Sequence, residues 1–148
     1  MARVGRRWKH VVFASALSAT VVVTTLVGPA VAGPKVPGID VSKYQGRIDW
    51  DAVATTPVRF VIMRATLGNV YRDGRFARNA AEARRVGLTV GSYHFAKPSL
   101  ARWDPRAEAD HFLNVVGLRA GDVVPVVDIE ETGGLSSRQL RTWATAWL

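Results

Sequence analysis

The sequence predicts an α/β fold in which parallel β-strands alternate with α-helices. Three observations lead to this prediction: apolar runs of strand length, segments of helical period between them, and Gly or Pro at the junctions. The strand-like runs are nearly continuous in apolar residues, which is typical of strands covered on both faces. The elements below follow this order along the chain.

The first predicted strand is "GIDVS", whose apolar residues alternate with Asp40 and Ser42. Asp49 is placed to cap a short helical turn that runs through Val53. The second strand is predicted over residues 58–66, within the apolar stretch "VRFVIMRATLG". Because this run is apolar on both faces, we expect it in the middle of the sheet.

A helix is predicted over residues 74–86, where apolar side chains recur at spacings of three and four and Gly87 stands at the expected C-cap. The next strand is "LTVGSYHFA". A second helix is predicted over residues 104–116, with Asp104 as N-cap and Pro105 in the first turn. These segments complete two further β/α units.

The fourth predicted strand is "DVVPVVDIE", followed by a helix that begins at Ser136 or Ser137 and turns Trp143 and Trp147 toward the core. A complete (β/α)₈ barrel has about 250 residues. With four strands in 148 residues, we expect an irregular TIM-like β/α barrel that is truncated after about four strands. A small open sheet is the alternative.

The N-terminal segment predicts export. The first ten residues hold four basic side chains and no acid, and a long apolar run ends in the small residues Ala30 and Ala32. This pattern is typical of a secretory signal peptide over residues 1–32, cleaved after Ala32, with a linker over residues 33–37. An uncleaved membrane anchor is the alternative, since the run nearly spans a bilayer. We expect a secreted or wall-associated protein without stable membrane insertion after cleavage.

Composition excludes several classes of protein. The chain has no Cys, so an exported domain of this size depends on a hydrophobic core rather than on disulfides. The formal charge is +8, but no basic patch with interleaved aromatics occurs, so nucleic acid is not an expected partner. Only three His occur, too few for a His-rich metal phosphohydrolase.

Polar side chains follow the predicted strands at the points where they end. In parallel β/α folds, functional side chains gather at these carboxyl ends. The residues concerned are Asp40, Arg64, Thr66, Tyr93, His94, Asp128 and Glu130. Asp128 and Glu130 are two residues apart and should share a face, whereas Ile129 should point into the helix layer and Glu131 into solvent.

The pair Asp128 and Glu130 suggests acid–base chemistry. Two carboxylates held close, with one kept protonated by its neighbour and by burial, are the groups that hydrolyse glycosides. An Asp-x-Glu pattern at a strand end is also compatible with helix capping or with a divalent metal site. The pair alone therefore leaves these interpretations open.

Four motifs together favour one of these interpretations of the carboxylate pair. "GIDVSKYQGRIDW", "FVIMRAT.G..Y.D" over residues 60–73, "GLTVGSYHFAKP" and "PVVDIE" resemble, in order and spacing, the family 25 glycoside hydrolases. The resemblance covers residues 38–148 and implies a partial catalytic domain with a β/α barrel fold. It also implies a muramidase that cuts the β-1,4 bond between N-acetylmuramic acid and N-acetylglucosamine in peptidoglycan, without metal or cofactor.

The resemblance also implies roles for individual residues. Glu130 matches the general acid that protonates the leaving oxygen. Asp128 matches its partner, which orients the 2-acetamido group of the substrate or stabilises the charged transition state, and Asp40 matches the acid of the first strand in the same pocket. Tyr93 matches a sugar-contacting aromatic, and Arg64 stands where the family usually has Lys, as a cation near the acids.

The sequence departs from the family pattern in two ways. The usual "KATEG" is "RATLG" here, so Leu67 replaces a Glu at the pocket edge, and the last strands of the family are absent. Two functions therefore compete: a secreted muramidase, or a truncated and catalytically inactive member that at most binds wall glycan. His94 is expected to pack in the core, and His111 to lie on the surface.

Overall fold

The computed structural model describes residues 35–148. The predicted signal peptide lies outside the described residues. The strands are β1 (Gly38–Val41), β2 (Phe60–Leu67), β3 (Tyr71–Arg72), β4 (Thr89–Phe95) and β5 (Val126–Asp128). The α-helices are α1 (Trp50–Ala54), α2 (Phe76–Arg85), α3 (Asp104–Val116) and α4 (Ser137–Trp147), and a 3₁₀ turn over Lys43–Gln45 follows β1. Helix and strand alternate as predicted.

The sheet is parallel apart from one short strand. Its order is β1-β2-β4-β5, and β3 pairs antiparallel with β2. Asp40 pairs with Ile62 across β1 and β2, and Phe95 pairs with Asp128 across β4 and β5. This register brings the carboxyl ends of all four parallel strands to the same edge, which confirms the predicted α/β class.

The core lies between this sheet and the helices. Alternate residues of β2, Val61, Met63 and Ala65, are almost fully buried, and α3 buries Phe112. Trp147 of α4 stacks against the same layer, with its ring centroid 5.6 Å from that of Phe112. Burial of a side chain of this size contributes about 1.5–3 kcal/mol, so a few such contacts fix the helices on the sheet. The predicted burial of the tryptophans in α4 is confirmed.

The fourth predicted strand is shorter than expected. Nine residues were predicted as strand, but β5 spans three, Val126–Asp128. Pro125 has no backbone N–H to donate to the ladder, and Val124 is 78% exposed. One further sheet-like bond precedes the proline, from the Val123 amide to the Val90 carbonyl at 2.9 Å.

Two of the three predicted N-caps are confirmed. Asp49 Oδ1 accepts from the Ala52 amide at 3.0 Å, and Ser136 forms a capping box at the start of α4. The prediction for Asp104 is wrong by one position. Asp104 is the first residue of α3, and its buried carboxylate accepts from the Ser99 amide and the Trp143 indole, each at 2.8 Å. It therefore joins α4 to the loop after β4.

The ladder between β2 and β4 contains a bulge. Arg64 pairs with Tyr93, but Thr66 pairs with His94, so two steps along β2 match one step along β4. A bulge bends a strand and changes the direction of the side chains that follow it. Here it falls at the carboxyl end of β2, next to the predicted site.

Candidate active site

A cavity of about 400 Å³ opens at the carboxyl ends of β1, β4 and β5. Its lining residues are Asp40, Ile62, Tyr93, Val126, Val127, Asp128, Ile129 and Glu130. Four of the five residues that the sequence predicted for the site, Asp40, Tyr93, Asp128 and Glu130, thus surround one space. The parallel register accounts for this, because it aligns the ends of strands that are far apart in sequence.

The cavity favours the protonated forms of two of its side chains. Partial burial raises the pKa of Asp128, and the negative charge of Asp40 raises it further. Burial also raises the pKa of the Tyr93 phenol, with Arg64 opposing this effect and Asp40 and Asp128 adding to it. Carboxylates that disfavour one another's ionisation are a feature of sites that transfer protons.

Glu130 lies just beyond the end of β5. Its side chain is exposed and lines the cavity, while Asp128, two residues earlier, is half-buried. Ile129 between them packs against the hydrophobic core. This is the alternation that the sequence predicted, and it directs both carboxylates toward the cavity while an apolar side chain anchors the segment.

Contacts outside the cavity fix the position of the loop that follows Glu130. Glu131 is exposed, as expected, and its carboxylate also forms an ion pair with Lys97 Nζ. Gly133 adopts φ +56°, and a Cβ at that position would lie 1.6 Å from the Pro98 carbonyl oxygen. The chain can pass this close only because residue 133 has no side chain.

Arg64 is not among the residues that line the cavity. Its side chain is buried, and its Nε donates to Asp73 Oδ2 at 3.0 Å. Asp73 also accepts from the backbone amides of Lys43 and Arg75, each at 3.0 Å. Arg64 is therefore a buried cation whose acidic partner is Asp73, a residue to which the sequence analysis gave no role. Its role near the acids of the cavity stays a prediction.

A second polar network lies beneath the cavity, in the helix layer. His94 is fully buried, and its two ring nitrogens lie 2.7 Å from Thr66 Oγ1 and from Glu108 Oε2. Its ring stacks on Trp147 with centroids 5.5 Å apart. The expectation that His94 packs in the core is confirmed. His111, expected on the surface, is half-buried, and its Nε2 lies 3.1 Å from the Tyr71 carbonyl.

A larger groove elsewhere lacks the groups for acid–base chemistry. It has a volume of about 470 Å³ between the start of α3 and α4, and apolar residues such as Leu100, Pro105 and Trp143 dominate its lining. No carboxylate lines it. The candidate active site is therefore the smaller cavity at the strand ends.

Within residues 35–148, no group of three or more His, Asp or Glu side chains is arranged to hold a metal ion. None of the helices in that part of the chain has both the length and the apolar character needed to span a bilayer.

Taken together, the structure is an α/β protein with a parallel sheet and with carboxylates gathered at the ends of its strands, where β/α folds place their functional side chains. The family described as "Glycosyl hydrolases family 25" matches residues 39–148, and the chain belongs to that family. The predicted resemblance is thus confirmed over nearly the whole of the described chain.

Several relatives carry more specific names. The chain is 39% identical over 126 residues to "Lysozyme M1" of Streptomyces globisporus, covering 79% of this chain and 42% of the relative. It is 31% identical over 124 residues to the "N,O-diacetylmuramidase" of Chalaropsis sp, covering 76% of this chain and 58% of the relative. The chain thus spans about half the length of these relatives.

Solved structures agree on the fold. The bacterial lysozyme from Streptomyces coelicolor superposes with a TM-score of 0.68 at 36% identity, over 74% of this chain and 54% of that one. The muramidase from Trichobolus zukalii gives a TM-score of 0.71 at 30% identity, over 76% and 57%. The similarity again covers somewhat more than half of the solved chains.

Proposed function

We propose that this protein is a secreted lysozyme, a muramidase that hydrolyses the β-1,4 bond between N-acetylmuramic acid and N-acetylglucosamine in bacterial peptidoglycan. The observation that carries the proposal is the cavity lined by Asp40, Tyr93, Asp128 and Glu130. Membership of family 25 and the names of the relatives support the choice of substrate. The proposal includes a signal peptide over residues 1–32 and a TIM-like barrel as the fold of the whole catalytic domain.

Glu130 is the proposed general acid. It is exposed at the mouth of the cavity, where a bound glycan would cover it and exclude water. A covered site excludes water from the proton transfer. The proton then passes to the glycosidic oxygen as the bond to the anomeric carbon breaks. A water molecule next adds its oxygen to the anomeric carbon and gives up a proton, which restores the acid form of Glu130.

Asp128 and Asp40 are the proposed electrostatic partners. As carboxylates they would stabilise the positive charge that develops on the sugar ring, or, in the case of Asp128, orient the 2-acetamido group by accepting a hydrogen bond from its N–H. Burial raises the pKa of Asp128 and the charge of Asp40 raises it further, and a positive charge that develops between the two carboxylates offsets their repulsion. Tyr93, half-buried in the same wall, is the proposed sugar contact. Arg64 acts from behind Tyr93, where its charge opposes the rise in the tyrosine pKa.

The test compares two neighbouring carboxylates. Glu130→Gln should lower the rate of peptidoglycan hydrolysis by about 10²–10⁴-fold, which is the contribution of general acid catalysis. Glu131→Gln is the matched control, since this side chain is absent from the cavity lining and pairs with Lys97 outside it. The assay follows new reducing ends released from purified peptidoglycan, and mass spectrometry of the products identifies the sugar at each new end.

The products and the rates separate the possible outcomes. Reducing ends on N-acetylmuramic acid support a muramidase, whereas ends on N-acetylglucosamine would contradict it. Near-normal activity of Glu130→Gln would show that another group is the acid. If the unaltered protein sediments with peptidoglycan but releases no reducing ends, its function is glycan binding, and the catalytic proposal is wrong.

A further inference from the structure

A cationic and aromatic surface adjoins the cavity on the side of β1 and β2. We call it the Lys43 cluster, and it consists of Lys43, Tyr44, Arg64 and Tyr71. Lys43 Nζ lies 5.4 Å from the ring centroid of Tyr44 and 5.1 Å from that of Tyr71. Arg64 Cζ lies 5.1 Å and 6.0 Å from the same two centroids. These are distances at which cations attract aromatic faces.

The two cations of the Lys43 cluster differ in whether an acidic side chain already pairs with them. The guanidinium of Arg64 is buried and forms an ion pair with Asp73. The ammonium of Lys43 is in none of the ion pairs found within residues 35–148. Interaction with the Tyr71 side chain raises the pKa of Lys43, so the ammonium remains charged throughout the neutral range. Lys43 is therefore a cation free to bind an added anion.

The backbone of Lys43 is fixed even though its side chain is exposed. Its amide donates to Asp73 Oδ2 at 3.0 Å, the same oxygen that accepts from Arg64 Nε. Ser42 before it starts a capped 3₁₀ turn in which Gln45 closes a capping box. A flexible side chain on a fixed backbone can bind a ligand without ordering the loop, which reduces the entropic cost of binding.

Tyr44 gives the cluster an exposed aromatic face. It is 77% exposed, although it is one of the larger apolar side chains of the protein. Aromatic rings with a polar end are enriched where proteins bind other molecules, because they offer a rigid apolar surface. An exposed ring beside a free cation suits a ligand that has both an apolar face and an anionic group.

The Lys43 cluster is continuous with the cavity through two strands. Lys43 follows Asp40 by three residues, and Asp40 lines the cavity. Arg64 is the direct neighbour of Tyr93 across β2 and β4, and Tyr93 also lines the cavity. We therefore expect a glycan seated over Asp128 and Glu130 to extend toward this surface.

We propose that Lys43, with the rings of Tyr44 and Tyr71, forms a subsite for a carboxylate-bearing sugar next to the cleavage cavity. This inference rests on the proposed function, because N-acetylmuramic acid carries a lactyl ether whose carboxylate is free when no peptide is attached. One ammonium suits a monoanion, whereas phosphate sites commonly add the bidentate donors of Arg, and Arg64 is occupied by Asp73.

The experiment measures binding in a protein that does not turn over its ligand. In the Glu130→Gln background, isothermal titration calorimetry compares a peptide-free tetrasaccharide of alternating N-acetylglucosamine and N-acetylmuramic acid with its methyl ester. The acid should bind about fivefold more tightly than the ester, the size expected of an exposed charge pair. The preference should decrease at high salt, because salt screens exposed charges.

Lys43→Gln should remove the preference for the acid and leave affinity for the ester unchanged. Lys97→Gln is the matched control, since Lys97 Nζ lies 5.4 Å from the Phe95 ring centroid but already pairs with Glu131. It should keep the preference. Tyr44→Ala should weaken binding of the acid and the ester alike, because it removes the shared aromatic contact.

Three other results of these measurements would overturn the proposed subsite. Equal binding of the acid and the ester, or a preference that survives Lys43→Gln, overturns the subsite but leaves the proposed muramidase reaction standing. Absence of binding by either ligand overturns the subsite and the proposed substrate together. A glycerol-phosphate oligomer that binds more tightly than the acid, and does so through Lys43, would assign the surface to wall phosphodiesters and overturn the carboxylate proposal.

Discussion

The two sides of the candidate active-site cavity are fixed in different ways. On the β1 and β2 side, the buried pair Arg64–Asp73 joins two strands and the turn after β1, with side chains that are 6% and 1% exposed. On the β5 side, a three-residue strand leads into an exposed loop that depends on Gly133 passing close to Pro98. The first side is fixed by buried charge, and the second by backbone contact at the surface. The proposed general acid lies on the second side.

The largest expected loss of stability comes from breaking the buried ion pair between Arg64 and Asp73. Asp73→Ala leaves the Arg64 guanidinium buried without its carboxylate, and removal of one partner of a buried pair costs about 3–5 kcal/mol. The free energy of unfolding, measured by urea denaturation, should fall by that amount. The pair Arg84–Asp122 is the comparison, because its side chains are 25% and 13% exposed.

Two control variants complete that experiment. Asp122→Ala should destabilise the protein less than Asp73→Ala, since solvent reaches Arg84 once its partner is removed. The double variant Arg64→Met/Asp73→Ala should regain much of the lost stability, because no unpaired charge then remains buried. If the double variant is as unstable as Asp73→Ala, the loss comes from packing or from the backbone bonds to Asp73 rather than from the charge.

A smaller loss of stability is expected from a substitution in the loop that follows Glu130. Gly133→Ala combines a side chain at φ +56° with a Cβ 1.6 Å from the Pro98 oxygen, and should destabilise by about 3 kcal/mol. It should also reduce peptidoglycan hydrolysis, since the loop that follows Glu130 must move. Gly134→Ala is the matched control, with φ +80° and no atom within 4 Å of the added Cβ. It should cost only the left-handed backbone conformation, about 1–2 kcal/mol, and equal losses in the two variants would contradict the close-approach argument.

The smallest expected effect concerns the charge interaction across the cavity. Asp40→Asn removes the negative charge that, after burial, raises the pKa of Asp128. The ionised form of Asp128 then becomes easier to reach, so its pKa should fall. Carboxyl-carbon NMR over a pH series measures this shift, and Asp51→Asn, which removes a carboxylate that pairs with Arg85 away from the cavity, should leave Asp128 unchanged. An unchanged Asp128 in Asp40→Asn would mean that burial alone sets its pKa.

The sequence was sufficient for the features that depend on local periodicity. Apolar runs located the parallel strands, and spacings of three and four located α2, α3 and α4. The alternation at Asp128, Ile129 and Glu130 placed both carboxylates on the cavity side. It also assigned Asp40 and Tyr93 to the same edge, since parallel strands bring their carboxyl ends together.

The features that were missed depend on contacts between distant segments. Asp73 follows β3, a two-residue strand too short to leave a periodic pattern, so nothing local indicated that it would meet Arg64. The pairing of Glu131 with Lys97 joins two loops 34 positions apart. The length of β5 was overestimated because an apolar run was counted as strand across Pro125, which cannot donate to the ladder.

The bulge at Ala65 explains how two neighbouring polar residues come to serve different layers of the molecule. Residues two apart on a regular strand point the same way, yet Arg64 matches Tyr93 at the cavity while Thr66 matches His94 in the helix layer. Because the bulge accommodates this one additional residue, the end of β2 directs one polar side chain to each face of the sheet. Without Ala65, Thr66 would directly follow Arg64 and would still match His94 in a regular ladder. The bulge therefore adds length to the end of β2 without changing the residue of β4 that each of the two side chains matches.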